Sequence, residues 1–189
     1  FPSDSHFVEV GSWLGKSAAY MAVKIVNSGK KIKFDCVDPW EYLGEEGDQI
    51  PDNHHRTAYG WPDRELYESF LENIGPVRHV INPVRLFSVE AAKLYEDKSL
   101  DFIFIDGSHH YNDVKKDINA WYPKLKKDGI ISGHDWPMKG VKRAVQEFFE
   151  DSKIQTERCY ERKLTPRLKK VDNGHCAWVI SPKKEWWIP

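Results

Sequence analysis

At 189 residues, 40% of them apolar, the chain can bury one good core and reads as a single domain spanning 1–189 rather than two. Its 28 basic and 29 acidic side chains are interspersed and leave a formal net charge of -1, so no global field draws it to nucleic acid or to an anionic membrane. Cys36, Cys159 and Cys176 are scattered and form no Cys-x-x-Cys pair; no run approaches the roughly 18 apolar residues of a membrane span and no signal-peptide pattern opens the chain, which together point to reduced thiols, a cytoplasmic protein and a small-molecule partner.

Phe7 to Val10 is a short apolar strand followed by a glycine turn. Ala18, Met21, Ala22, Ile25 and Val26 then recur at helical spacing until Gly29 stops the helix, and Ile32 to Val37 forms the next strand, ending at Asp38. Strand, helix and strand in this order predict a right-handed parallel crossover. Glu41 to Arg64 carries Gly44, Gly47, Pro51, Gly60 and Pro62 without a sustained period, so it reads as a long loop of the kind that often covers a site.

The alternation then resumes. Leu66, Phe70, Leu71 and Ile74 mark a helix, Val77 to Ile81 a strand, and Val89, Ala92 and Tyr95 a short helix with Ser88 as its N-cap. Leu100 to Ile105 is a buried strand ending at Asp106-Gly107. Val114, Ile118, Trp121 and Leu125 line a helix that Pro123 should bend or end early. Gly129 to Ser132 is a strand, Val141, Ala144, Val145 and Phe148 line a further helix, and Ile154 to Tyr160 with Cys176 to Ser181 read as an antiparallel pair.

In open α/β sheets ligands bind beyond the carboxyl ends of the strands. Those ends carry Gly11-Ser12-Trp13, Asp38-Pro39-Trp40, Ser88, Asp106-Gly107-Ser108-His109-His110 and His134-Asp135-Trp136, so the polar chemistry converges where a site should be. Gly11-Ser12-Trp13-Leu14-Gly15-Lys16-Ser17 imitates a phosphate loop, but that loop needs four residues between its glycines and this one has three. A P-loop NTPase therefore stands as the alternative. It leaves Glu9 and Asp38 unexplained. Asp38, 27 residues after Gly11, can accept both hydroxyl hydrogens of a ribose, and Glu9 under the turn favours a cationic ligand group.

Glu9-x-Gly11-x-x-x-Gly15, followed by Asp38 and by Phe104-Ile105-Asp106-Gly107-Ser108-His109-His110-Tyr111, resembles the class I S-adenosylmethionine-dependent methyltransferases. The nearest branch is the small-molecule O-methyltransferases of cephalosporin-hydroxylase and macrocin type, over about Phe7 to Phe149. The resemblance implies a Rossmann-like sandwich with a seven-stranded, mostly parallel sheet whose last strand is antiparallel. It implies S-adenosylmethionine as cofactor and methylation of a hydroxyl on a small molecule. Gly11 to Gly15 would let backbone approach the methionine part, with Ser12 in the turn, Trp13 beside it and Ser17 on its carboxylate. Asp38 would hold the ribose, Pro39 and Trp40 would lie against the adenine, and Ser88 and Val89 would meet the adenine edge. A non-catalytic cofactor-binding module, or a domain active only within a larger assembly, would carry the same residues.

Methyl transfer is an in-line displacement in which the protein aligns the reactants and removes the acceptor's proton. In catechol-type relatives an acid ends the fourth strand and a base follows three residues later; Asp106 and His109 stand at those places. Metal-dependent relatives pair acid or amide residues at the end of the fifth strand, where this chain has His134-Asp135. Asp106 with Asp135 could hold a divalent cation, His134 would bias it toward a softer metal, and without metal His134 and Asp135 would act as an acid/base or substrate-orienting pair. The place where nucleic-base methyltransferases carry an Asn/Asp-Pro-Pro-aromatic tetrad reads Asp106-Gly107-Ser108-His109, so no nucleic acid or membrane partner is expected; a homodimer is compatible. Eight tryptophans are many: Trp121 and Trp178 have core-like positions, whereas Trp40, Trp61 and Trp136 lie near the site, with packing as their expected role and an aromatic or sugar-like acceptor as the alternative; His54 and His55 read as surface residues of the long loop, which could fold over the cofactor. The chain opens at Phe1 rather than Met, so an upstream segment is an expectation too.

Overall fold

The structure is a computed structural model that describes residues 1–41, 66–151, 169–170 and 176–180. His54, His55, Trp61, Cys159, the long loop after Glu41 and the strand expected at Ile154 to Tyr160 lie outside the described residues.

The elements are β1 (His6–Val10), α1 (Lys16–Ser28), β2 (Lys33–Val37), α2 (Leu66–Asn73), a 3-10 helix (Gly75–Val80), β3 (Asn82–Val84), α3 (Ser88–Ala92), β4 (Leu100–Ile105), α4 (Tyr111–Trp121), a 3-10 turn (Tyr122–Lys124), β5 (Leu125–Gly133), α5 (Lys139–Asp151), β6 (Lys169–Lys170) and β7 (Cys176–Ile180). The strands lie in the order β3-β2-β1-β4-β5-β7-β6. β1 through β5 pair in parallel, and β7 runs antiparallel to β5 with Ile131 opposite Ile180 and Gly133 opposite Trp178. Among the described residues six strands make up the sheet proper. The seventh, β6, is among the described residues a two-residue ladder on the outer edge of β7, so six full strands rather than the expected seven are described.

Alternation along each strand sends neighbours to opposite faces. Phe7, Phe34 and Cys36 pack with Ala18, Ala22, Ile25, Phe70 and Ile74 on the side of α1 and α2. Val8, Val10, Ile103 and Ile105 pack with Ala91, Val114, Ile118, Trp121, Val141 and Trp178 on the side of α3, α4 and α5. Both faces are covered, the condition under which a parallel sheet is stable. Trp121 and Trp178 are fully buried, as their positions predict.

Three element expectations are corrected. Val77 to Ile81 is not a strand: Pro76 seeds a 3-10 helix from Gly75, and only Ile81 is buried, so no strand face exists to pair. The strand is Asn82–Val84, whose Pro83 is tolerated because β3 is the outermost strand. Leu125 opens β5 rather than closing α4, since Pro123 turns the chain through Tyr122–Lys124 after Trp121. Ser88 is the first residue of α3, with Phe87 as its N-cap, because the Ser88 hydroxyl is engaged elsewhere. Among the described residues no helix is long and apolar enough to cross a membrane.

Candidate functional site

The turn after β1 is built on two left-handed glycines. Gly11 has φ +85°, and a Cβ there would stand 2.3 Å from the carbonyl oxygen of Asp106 and 2.6 Å from Gly107 Cα. The turn therefore lies directly on the end of β4, fixed by Gly11 N–H to the Val37 carbonyl at 2.8 Å and Asp106 N–H to the Val10 carbonyl at 2.7 Å. Gly15 has a different reason to be glycine. A Cβ there would meet Ile74 Cγ2 at 2.8 Å and Phe70 Cδ2 at 2.9 Å, so its smallness serves packing against α2 rather than approach to a cofactor. Asn73 secures the same turn by donating Nδ2–H to the Leu14 carbonyl at 2.9 Å.

Asp38 organises the loops at this edge. Its Oδ2 accepts the Trp13 N–H at 2.9 Å and its Oδ1 the Trp40 N–H at 2.6 Å. Burial raises its pKa, and the N–H groups of Trp13, Trp40 and Ser12 oppose that rise by favouring the carboxylate. With three N–H donors on its two oxygens, the carboxylate keeps one lone-pair site for a further donor. Trp40 corrects an expectation: its indole is buried, 4.5 Å from the Phe70 ring and 4.9 Å from the Tyr67 ring, with Nε1–H donated to the Trp13 carbonyl at 2.8 Å. No face of that ring is left for an adenine. Trp13, by contrast, is 45% exposed at φ +42°, and Pro39 is half-buried with Arg85 Nε donating to its carbonyl at 3.4 Å.

Glu9 is fully buried beneath the turn. Burial raises its pKa most; hydrogen bonds from Ser17, Ser12 and Cys36 pull it back, and the Asp38 charge adds to the rise. The Ser12 hydroxyl donates to Glu9 Oε2 at 2.9 Å. Ser17 is thus turned inward to Glu9, not outward to a ligand carboxylate as expected. Ser88 is likewise internal: its hydroxyl donates to Asp117 Oδ1 and accepts Trp121 Nε1–H at 2.9 Å, while Val89 beside it is exposed.

The ends of β4 and β5 bring together Asp106, His109, His134 and Asp135. His134 Nδ1 is 3.5 Å from Asp106 Oδ1 and 3.1 Å from Asp135 Oδ2, and His109 Nε2 is 2.8 Å from Asp135 Oδ2. Asp106 is pushed up to about 7 by burial, against the pull of His134 and with the help of the Asp135 and Glu9 charges. A narrow recess runs past Asp106, Ser108, His109, His134 and Asp135 to Trp178 behind them. Backbone fixes the group from both sides: His134 N–H bonds the Ile105 carbonyl at 3.0 Å, Met138 N–H bonds the Asp135 carbonyl at 2.8 Å, and Asp135 itself sits at φ +55°. Gly140 lets α5 close on the histidine loop, since a Cβ there would be 2.5 Å from the His109 carbonyl oxygen. Trp136 is buried, so it packs rather than lining an open acceptor pocket.

Sequence reasoning missed an apolar rim around this edge. Leu86 and Phe87 after β3 and Met138 after β5 are exposed, as are Trp13 and Val89. The available signal was the Leu86-Phe87 pair standing outside the helical period that begins at Ser88.

Comparisons with known proteins place this architecture. A family model described as a methyltransferase domain matches residues 8–136. The protein y4gI of Sinorhizobium fredii, itself uncharacterized, is 28% identical over 128 residues, 68% of this chain; the chain spans 13% of that relative's length. Among solved structures, the O-methyltransferase NovP is similar with a TM-score of 0.62 at 16% identity, over 94% of this chain and 71% of that one. Precorrin-6y C5,15-methyltransferase from Geobacter metallireducens matches with a TM-score of 0.55 at 16% identity, over 80% and 64% of the two chains. Fibrillarin from Methanococcus jannaschii matches with a TM-score of 0.54 at 17% identity, over 97% and 69%.

Proposed function

This chain belongs to the methyltransferase-domain family, and on that premise we propose that it transfers a methyl group from S-adenosylmethionine to a hydroxyl of a small molecule. The observation that carries the proposal is the contact of the Gly11 turn with Asp106 and Gly107. On this reading the edge at Gly11 would take the nucleoside, directly beside the cluster that would accept the proton.

When bound, S-adenosylmethionine supplies an electrophilic methyl on a sulfonium. Asp38, already oriented by the Trp13, Trp40 and Ser12 N–H groups, accepts a ribose hydroxyl through its remaining lone pair. Glu9 anchors the turn from beneath by accepting the Ser12 hydroxyl. Trp13, Phe87 and Met138, exposed after β1, β3 and β5, would help exclude water around a bound cofactor. As the acceptor oxygen bonds to the methyl carbon, the carbon–sulfur bond breaks and the hydroxyl proton must leave. His109 is placed to receive it: with Nε2–H donated to Asp135, the proton goes to Nδ1. NovP, an O-methyltransferase on the same fold, supports a hydroxyl as acceptor. The donor set of Asp106 and Asp135, with His134 between them, also fits a divalent cation, whose chemistry there would be to polarise the acceptor oxygen.

Incubation of the full chain with methyl-labelled S-adenosylmethionine and a panel of phenols, sugars and hydroxy acids tests the reading. Label should move to oxygen in at least one acceptor. Label appearing only on amines or thiols contradicts the hydroxyl assignment.

A further inference from the structure

Asp35 is an acid that the cofactor edge does not use. It stands in the middle of β2, and because Phe34 and Cys36 face α1, Asp35 shares the opposite sheet face with Val37 and Val8. Only 12% of its side chain is exposed, and a buried carboxylate is unfavourable unless donors meet it. Here three do. His6 Nε2 and the Tyr95 hydroxyl each reach Oδ2 at 2.8 Å, and Asn82 Nδ2 reaches Oδ1 at 2.9 Å. Burial works against the charge, yet these bonds outweigh it and hold the carboxyl below its ordinary range. An ionised Asp35 fixes the His6 tautomer: Nε2 carries the hydrogen, and Nδ1 has no hydrogen-bond partner among the described residues.

These groups border a cleft of about 530 Å³, within the size range of small-molecule sites. His6, Lys33 and Asn82 open β1, β2 and β3, with His6 opposite Lys33 and Asp35 opposite Asn82, so the cleft lies at the amino ends of the parallel strands. Asp38 follows the other end of β2, about 16 Å along the strand from Lys33. We infer that this end of the sheet holds a second binding site, separate from the cofactor edge, which takes a small anion through a carboxylate or phosphate group met by Lys33, His79 and Asn82.

Unused donors decide the sign of the ligand. The Lys33 ammonium and the His79 imidazole border the cleft at exposed positions, and neither side chain has a hydrogen bond or ion pair among the described residues. Asn82 spends one amide hydrogen on Asp35 and keeps the other. Asp35, the one acid among the described lining residues, already has three donors, so it neither competes for these groups nor calls for a cation. Asp101, whose Oδ2 accepts the His6 backbone N–H at 2.9 Å, is matched by Lys126 at 2.7 Å. Donors without acceptors are satisfied by an acceptor-rich ligand, and an ammonium among them favours one that carries negative charge. Ile32 and Val80 in the cleft wall offer apolar contact to the ligand's carbon body. Asp35 is then a positioning residue, which holds His6 and Asn82 at the cleft through hydrogen bonds rather than touching the anion.

Anion capture is measured without methyl transfer, on the isotope-labelled full chain at constant ionic strength. Inorganic phosphate and benzoate are titrated separately while backbone amide and imidazole resonances are followed by NMR, with chloride as the control. At least one of the two anions should shift Lys33, His79 and Asn82 in a saturable way, with a Kd on the order of a few mM, and chloride should not. Saturation by phosphate alone assigns a phosphate group to the ligand, and saturation by benzoate alone a carboxylate. Lys33→Glu and His79→Gln change exposed positions, so the fold should survive, as thermal melting checks, and each should weaken binding by about tenfold. Shifts that stay linear in the concentration of both anions overturn the inference. So do saturable shifts confined to Asp106, His109 and His134, or equal affinity in folded Lys33→Glu. S-Adenosylhomocysteine binding on the same preparations reports separately on the methyltransferase reading.

Discussion

Gly11 rests on the Asp106 carbonyl so closely that a single methyl group would sit 2.3 Å from that oxygen, with backbone on both sides of the contact. The turn proposed to receive a nucleoside is thus tied by direct backbone contact to the end of β4, which leads into the proposed reaction centre. Gly11→Ala should break both at once, since neither backbone can yield cheaply and φ +85° disfavours any side chain. The expected outcome is a loss of at least about 3 kcal/mol in denaturant stability together with loss of cofactor binding. Retention of both would show that the two loops are not coupled.

Gly15→Ala separates packing from binding. Its new methyl meets the Phe70 and Ile74 side chains, not a ligand, so it should cost about 2–4 kcal/mol in urea unfolding. S-Adenosylhomocysteine affinity of the folded protein should change by less than about threefold, a shift below 1 kcal/mol. A large affinity loss without destabilisation would return Gly15 to the ligand-approach role its motif suggests.

Asp117 makes stability depend on pH. Burial raises its carboxyl to about 6 from 3.8, despite the Ser88 hydrogen bond. With the folded pKa above the unfolded one, its contribution is fully present below pH 3.8 and is lost as pH rises through about 6. That loss is on the order of 3 kcal/mol. Asp117→Asn keeps an acceptor for the Ser88 hydroxyl and removes the ionisation. It should melt higher than wild type at pH 8, with the gain shrinking between pH 6 and 4. An unchanged pH profile of the melting temperature would count against the burial account.

Asp106→Asn tests the reaction centre. Turnover should fall by about 10²- to 10⁴-fold in single-turnover label transfer, while S-adenosylhomocysteine affinity stays within about threefold, because no cofactor-binding role falls to this side chain. Normal turnover would reduce Asp106 to a structural element at the end of β4.

Much of this was legible in sequence, for reasons that differ by residue. Phe7 to Val10 and Leu100 to Ile105 announce buried parallel strands by composition, and the Ala18 to Val26 period with Gly29 behind it announces α1. The order of acid, glycines and second acid separates Glu9, Gly11 and Asp38 from a phosphate loop. What was illegible is where polar side chains point. Ser17 and Ser12 both serve buried Glu9, and Ser88 serves Asp117, because a buried carboxylate needs donors more than a helix end needs a cap. Trp40 follows the cofactor motif in sequence but fills the core beside Phe70, since the indole gains more by burial there than at an open edge. The link from His109 to Asp135 spans 26 residues between two loops and has no local signature.

The most direct test of the central claim is calorimetric titration of S-adenosylhomocysteine into the wild-type chain and into Asp38→Ala. Wild type should bind one equivalent, and the variant should bind at least about tenfold more weakly, having lost the ribose acceptor and the anchor of Trp13 and Trp40. No binding by wild type would contradict the assignment of this edge as a cofactor site, and equal binding by the variant would contradict the placement of the ribose at Asp38.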